Sequence, residues 1–148
     1  MTLALTVAVA MVAAPPVPAS VQSVIAERVP VSLRYIPTQA PIGYRYVTWY
    51  GGRDGLHIYF ARTGRPPTLV FHVLASGAAG TCQQGGTHVY RFGRARVSFE
   101  SDRYTEQFWR CVRGGRASIE ATVRHADGST AVRRRAIAAM VASATALG

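Results

Sequence analysis

The sequence predicts an α+β fold, in which a twisted antiparallel sheet of about six or seven strands carries a C-terminal helix on one face. Short segments of alternating apolar and polar residues follow one another between turns rich in Gly, Pro and Asp. After residue 128 the apolar residues recur at helical spacing instead. Apolar residues make up 49% of the 148-residue chain, which is enough to fill one core.

The N-terminal segment predicts export. Leu3 to Ala14 is an apolar run of twelve residues, and three prolines follow between positions 15 and 18. This run is shorter than the roughly 20 residues needed to cross a bilayer, but it has the length of the apolar part of a signal peptide. We therefore expect residues 1–19 to be a signal peptide cleaved after Ala19, which makes the mature protein secreted or extracytoplasmic, with no transmembrane span. The alternative is a buried N-terminal helix.

Residues 20–34 are predicted to form an extended N-terminal arm, and residues 35–148 a single β-rich domain. In the arm, Val29, Val31 and Leu33 alternate with other residues, and prolines punctuate the segment. Proline donates no backbone hydrogen bond, which confines such a segment to a sheet edge or an extended conformation.

The body of the chain predicts seven strands. They are Ile42 to Tyr50, Leu56 to Arg62, Pro67 to Ala75, Val89 to Phe92, Ala95 to Glu100, Tyr104 to Val112 and Ala117 to Val123. In the first strand, strict alternation places Tyr44, Tyr46 and Tyr50 on one face and Trp49 on the other. The second and third strands form a hairpin whose register pairs Phe60 with Leu69, an apolar match that a one-residue slip would destroy.

The C-terminal segment predicts a helix packed on one face of the sheet. Val132, Ile137, Met140 and Val141 recur at helical spacing, and Ser129 or Thr130 could cap the first turn. Arginines at positions 133–135 oppose this prediction, because the dipole of a helix disfavours cations at its N-terminus. A short strand through Arg135 followed by a shorter helix therefore stays open as an alternative.

The chain has two cysteines, Cys82 and Cys111, and an oxidising compartment favours a disulfide between them. Closing a loop of this length stabilises the fold by about 3–4 kcal/mol in the chain-entropy model. The spacing fits neither a structural zinc site nor a redox pair.

The hairpin register places His57 beside His72 on one face of the sheet. Two adjacent imidazoles could ligate a metal ion, with His88 or Glu100 as a third ligand. A metal-dependent hydrolase is accordingly an alternative function. The competing interpretation is a pair of ordinary strand histidines.

Other catalytic signals are missing from the sequence, and we expect a non-catalytic protein without a cofactor. No nucleophile elbow, metalloprotease helix or phosphate-binding loop occurs. Asp102 and Glu106 have the spacing closest to a carboxylate pair, but their context predicts a solvated surface. The aromatic residues Tyr46, Trp49, Tyr50 and Tyr59 could form a binding platform where they are not part of the core.

All 17 basic residues are arginines, and the formal net charge is +10. Because the arginines are scattered along the chain, we expect a basic surface and no nucleic acid partner. The densest cluster, Arg133, Arg134 and Arg135, could bind an anionic envelope polymer or membrane surface. This electrostatic binding is the second alternative function.

Two short motifs, Tyr35-Ile36-Pro37 and Pro41-Ile42-Gly43-Tyr44, are similar to the opening L-P-x-G-Y of a known domain. This β-rich domain of unknown function lies outside the membrane anchors of some anti-sigma-factor-like proteins. The resemblance covers residues 35–147 and implies strands followed by a final helix in an extracytoplasmic location. It implies no catalytic residues. We therefore expect a non-catalytic module of the bacterial envelope that binds another exported protein or an envelope polymer.

Overall fold

The computed structural model describes residues 14–76, 82–112 and 114–148. Two α-helices, two short 3-10 helices and nine strands form within these ranges. The helices are α1 (Ala19–Arg28) and α2 (Ala131–Ser143), and the 3-10 helices are Val31–Leu33 and His125–Asp127. The strands are β1 (Tyr35–Ile36), β2 (Tyr44–Gly51), β3 (Gly55–Arg62), β4 (Leu69–Ala75), β5 (His88–Phe92), β6 (Ala95–Ser101), β7 (Thr105–Cys111), β8 (Ala117–Arg124) and β9 (Thr145–Ala146).

Seven strands form an antiparallel sheet in the order β2-β3-β4-β8-β7-β6-β5, which confirms the predicted fold class. The sheet consists of two meanders, β2 to β4 and β5 to β8, which join where β4 pairs with β8. The predicted hairpin register is also confirmed, since Phe60 pairs with Leu69 and His57 with His72. Separately, β1 and β9 pair in a two-stranded sheet that the sequence analysis did not predict.

One face of the large sheet forms the core, and α2 packs on it. Phe60, Phe71 and Phe108 of the sheet are fully buried, as is Met140 of α2. The side chain of Thr130 caps α2 by accepting a hydrogen bond from the backbone of Arg133. The alternative of a short strand through Arg135 is wrong, since α2 already begins at Ala131. The helix buries large apolar side chains, each of which contributes about 1.5–3 kcal/mol. That exceeds the cost of about 0.3–1 kcal/mol for a cation near a helix N-terminus.

The predicted extended arm at residues 20–34 is wrong, because α1 and a 3-10 helix occupy it. The α1 segment contains the helix formers Ala, Gln, Glu and Arg, and it buries Ile25 completely. The apparent alternation after it is accidental, since Val29 and Leu33 are buried while Val31 is 71% exposed. Val17, just before α1, is also fully buried. Most of the predicted signal peptide, residues 1–13, lies outside the described residues.

Strand β2 begins at Tyr44, two residues later than predicted, and contains a β-bulge at Val47. The extra residue shifts the alternation, so that Tyr46 pairs with Phe60 and Trp49 with Ile58. Both aromatic side chains therefore lie on the core face, against the prediction that they lie on opposite faces.

Residues 82–87, just before β5, cross the other face of the sheet, which we call the open face, and the disulfide Cys82–Cys111 holds them there. The Trp109 indole donates a hydrogen bond to the carbonyl of Gln83. Gly86 has a φ of +92°, and a Cβ there would lie 2.5 Å from the carbonyl oxygen of Phe99, so the backbone itself packs against β6. In the described part of the chain, no helix is both long and apolar enough to span a membrane.

Candidate functional site

The two histidines of the hairpin lie side by side on the open face. The Nδ1 atoms of His57 and His72 are 2.7 Å apart, and the ring planes are nearly perpendicular at 85°. At this distance one nitrogen donates a hydrogen bond and the other accepts it. The pair belongs to a row of cross-strand neighbours that runs from Tyr50 through both histidines to Glu120 and Trp109.

Burial and mutual repulsion keep this pair of histidines neutral. Burial, followed by the charge of His57, lowers the pKa of His72 to about 4. Burial also lowers the pKa of His57 below its ordinary value. Both imidazoles are therefore uncharged at neutral pH, which is the protonation state that binds metal ions.

The structure does not bring the predicted third ligands to this pair. Glu100 lies on β6, three strands from β4 and so about 14 Å away. His88 lies on the edge strand β5, one strand further, where its ring packs edge-on against Tyr90 on the core face. Within the described residues, no three His, Cys, Asp or Glu side chains lie close enough to share a metal ion. The predicted hydrolase site is thus reduced to two ligands.

The four predicted platform aromatics do not form one surface. Tyr46 and Trp49 pack against the core under the helical layer. Tyr50 and Tyr59 lie on the open face, where Tyr50 is 70% exposed and its ring centroid is 5.9 Å from that of His57.

The three consecutive arginines of α2 point in different directions, because successive helical residues are rotated by about 100°. Arg134 forms an ion pair with the buried Glu106, at 2.6 Å between Nε and Oε2. Arg135 lies over the ring of Phe92, and Arg133 donates to the backbone carbonyl of Asp127. They do not make the single anion-binding patch that was predicted.

The spacing of Asp102 and Glu106 likewise produces no carboxylate pair. Asp102 is exposed in the turn before β7, where it accepts hydrogen bonds from the backbone of Tyr104 and Thr105. Glu106 is instead buried on the core face beside Arg134.

A pocket of about 430 Å³ opens at the start of α2. One side consists of Pro41 and Ile42, from the loop before β2, and the other of Val132 and Ala136 of α2. The lining also includes the exposed Gly128 and Thr130 and three less exposed charged residues, Arg62, Asp127 and Arg133, which we call the floor. Ile42 is completely exposed and Val132 is 83% exposed, so the mouth of the pocket is apolar while its floor is charged.

A hydrogen-bond network fixes the charges of the pocket floor. Asp127 accepts hydrogen bonds from the hydroxyls of Tyr44, at 2.7 Å, and Thr68. Burial alone would raise the pKa of Asp127, but these hydrogen bonds and the charges of Arg133 and Arg62 lower it below its ordinary value. The floor thus carries two guanidinium groups and one carboxylate.

The floor has a spare hydrogen-bond donor. The Nη2 of Arg133 is buried and has no hydrogen-bond partner, while its Nη1 donates to the carbonyl of Asp127. A buried guanidinium nitrogen without a partner costs about 1–3 kcal/mol. This nitrogen has no exposed surface, so an anionic ligand in the pocket would satisfy it only after the Arg133 side chain turned toward the pocket.

Sequence reasoning named Arg133 but missed the pocket, since its walls come from residues 41–42, 62 and 127–136, which meet only in the fold. The 3-10 helix before Gly128 turns the chain from β8 into α2, and this turn brings Asp127 under Tyr44. Nothing in the sequence signalled the exposure of Ile42, because its alternation with Tyr44 and Tyr46 had placed it in a strand.

Another concavity, beside the disulfide, is lined by Arg94, Arg96 and Arg110. Its Arg110 already donates to the carbonyls of Val141 and Ala144 at the end of α2. This arginine caps the helix, and Arg94 and Arg96 are the other charged residues of the concavity.

Comparisons of this chain with protein-family models, with curated proteins and with solved structures give no match.

Proposed function

We propose that the protein is an exported, non-catalytic module that binds a small amphipathic anion in the pocket at the start of α2. The observation that carries the proposal is the combination of a floor with two guanidinium groups and a mouth with two exposed aliphatic side chains. A carboxylate on a short apolar chain matches both parts.

The floor matches a carboxylate in charge and in hydrogen bonding. Arginine forms two parallel hydrogen bonds to a carboxylate, and a rotation of the Arg133 side chain would bring its unpaired Nη2 into the pocket for that purpose. Arg62, which otherwise lies over the ring of Tyr44 at 5.4 Å, supplies the second positive charge. Together they exceed the single negative charge of Asp127, which leaves the floor net positive.

The mouth matches an apolar chain. Ile42 and Val132 border the same pocket and expose most of their surface to water. Covering them with an alkyl chain contributes about 0.8 kcal/mol for each buried CH₂ group. The volume of about 430 Å³ lies in the ordinary range for small-molecule sites.

Calorimetric titration with octanoate tests the proposal, with butyrate and octanol as probes lacking the long chain and the charge. We expect octanoate to bind most tightly. Arg62→Gln and Ile42→Ser should each weaken octanoate binding at least fivefold. Their matched controls, Arg65→Gln in the adjacent turn and Val31→Ser, another exposed aliphatic residue, should leave it unchanged.

Equal binding of octanol and octanoate would contradict the role of the guanidinium floor. Equal weakening by Arg65→Gln and Arg62→Gln would show that net charge alone attracts the ligand. Absence of octanoate binding at millimolar concentration would reject the proposal.

Export is part of the proposed function and rests on the N-terminal apolar run, the disulfide and the resemblance of residues 35–44 to an extracytoplasmic domain. The buried Val17 bears on the cleavage site, because a cut after Ala19 removes a core side chain. N-terminal sequencing of the protein from the exported fraction of its host tests this. A chain starting at Ser20 supports the predicted cleavage, and a chain with an intact Met1 found only inside the cell contradicts it.

A further inference from the structure

We propose that His57 and His72 form a two-nitrogen chelate for Cu²⁺ on the open face of the sheet. This metal site is independent of the anion pocket. It involves neither hydrolysis nor a third protein ligand, and water would complete the coordination of the ion.

The close approach of the two imidazoles is compatible with adjacent positions on a square-planar ion, and the affinity order of the divalent metals favours copper over zinc. Two nitrogens on adjacent corners of a square-planar ion, each about 2.0 Å from the metal, lie about 2.8 Å apart, whereas tetrahedral zinc separates them by about 3.3 Å. The Nδ1 atoms of His57 and His72 are 2.7 Å apart before any metal binds. Cu²⁺ also binds nitrogen ligands more tightly than the other divalent metals of its row.

The backbone holds the pair in place. His57 and His72 are directly opposed residues of β3 and β4, inside a register that three flanking apolar pairs maintain. Both histidines are half-buried, so their rings have few alternative positions. Binding therefore loses little conformational entropy. The ring that carries its proton on Nδ1 takes the Nε2–H tautomer instead, so that both Nδ1 lone pairs face the metal ion.

Glu120 adds a negative charge beside the histidine pair, which favours cation binding although the chain as a whole is basic. Glu120 directly opposes His72 on β8 and is the one charged member of the row from Tyr50 to Trp109. Its carboxylate accepts hydrogen bonds from Ser118 and Gln107, which hold it on the open face. A carboxylate on the neighbouring strand attracts a divalent cation without having to coordinate it.

Titration of the full chain with CuCl₂ in a non-coordinating buffer at pH 7.4 tests the proposal, followed by electron paramagnetic resonance. We expect one Cu²⁺ per chain, a spectrum with coupling to two imidazole nitrogens, and an affinity for Zn²⁺ at least tenfold lower. His57→Gln and His72→Gln should each weaken Cu²⁺ binding at least tenfold. The matched control His88→Gln, on the opposite face, should leave the affinity unchanged.

Equal affinities of His57→Gln and the wild-type protein would overturn the proposal, as would coupling to a single imidazole. Because a substitution could disturb the hairpin, the wild-type protein provides a second test by NMR. Substoichiometric Cu²⁺ should broaden the ring signals of His57 and His72 before those of His88 and His125. Simultaneous broadening of all four histidines would overturn the chelate. Octanoate binding is a separate readout, so either proposal can fail without the other.

Discussion

At the scale of single residues, the two proposed sites depend on polar groups held where the solvent is restricted. His72 touches His57 on a sheet face that would otherwise be unremarkable, and its pKa falls to about 4 because burial and its neighbour oppose protonation. Arg133 has one guanidinium nitrogen on the carbonyl of Asp127 and another buried without a partner. These two residues mark the two proposed sites.

The depressed pKa of His72 predicts a pH dependence of stability. The unfolded chain binds more protons than the folded protein between pH 6.5 and about 4, so this contribution to the free energy of unfolding is complete above pH 6.5 and disappears as the pH falls to about 4. We expect a loss of about 1–3 kcal/mol over that window. Urea denaturation at a series of pH values measures it.

The histidine contribution can be separated from that of the carboxylates. His72→Gln should flatten the decline between pH 6.5 and 4, and His88→Gln should retain it. A decline of the same size in His72→Gln would assign the effect to other groups.

At the scale of elements, two local features, a helix cap and a β-bulge, shape the structure. Thr130 caps α2 despite three arginines near the N-terminus of the helix. The bulge at Val47 lets Tyr46 and Trp49 share the core face although three positions separate them. For each feature we predict the effect of a local change that leaves the rest of the sheet intact.

Removing the cap should destabilise the protein. Thr130→Ala leaves the backbone N–H of Arg133 without its side-chain acceptor, and we expect the free energy of unfolding to fall by about 1 kcal/mol. The neighbouring Ser129→Ala, also exposed, is the matched control and should have less than half of that effect. Thermal unfolding followed by circular dichroism compares the variants.

Removing the bulge should be tolerated. Deletion of Val47 leaves the alternation Tyr46 inward, Thr48 outward and Trp49 inward, so each aromatic side chain keeps its face. We expect a folded protein whose stability changes by less than about 1.5 kcal/mol. Deletion of Tyr59 in the regular strand β3 should abolish folding, because each later residue of the strand changes face. Amide NMR spectra of the two deletions distinguish these outcomes.

At the scale of the whole molecule, the sheet separates a covered face from an open one. Helix α2 and the segment from Val17 to Leu33 contribute side chains to a single core. Residues 82–87 cross the open face and are held there by Cys82–Cys111. The anion pocket lies at the start of α2 and the histidine pair on the open face, so the two proposed sites involve different parts of the fold.

The disulfide should matter for stability more than for either binding site. Its 29-residue separation predicts that Cys82→Ser with Cys111→Ser lowers the free energy of unfolding by about 2–4 kcal/mol. Urea denaturation measures the change, and the wild-type protein in reducing buffer should match the double variant. An equal stability of the oxidised and reduced protein would show that the linkage does not constrain the unfolded chain.

Periodicity and turn chemistry by themselves determined the class of the fold, the seven strands of the main sheet, the hairpin register and the C-terminal helix. These features depend on local alternation and on matched apolar pairs such as Phe60 with Leu69, which are visible in sequence order. The His57–His72 contact follows from that register and was therefore predicted as well.

Only the tertiary structure decided the rest. Val29, Val31 and Leu33 alternate as in a strand, yet the chain there forms the end of α1 and a 3-10 helix, because burial of Val29 and Leu33 outweighs a weak local preference. The bulge at Val47 allows Trp49 to pack on the core face, and it has no sequence signal of its own. The anion pocket joins residues up to 95 positions apart, from Pro41 to Ala136, and such a site exists only once the chain has closed its core.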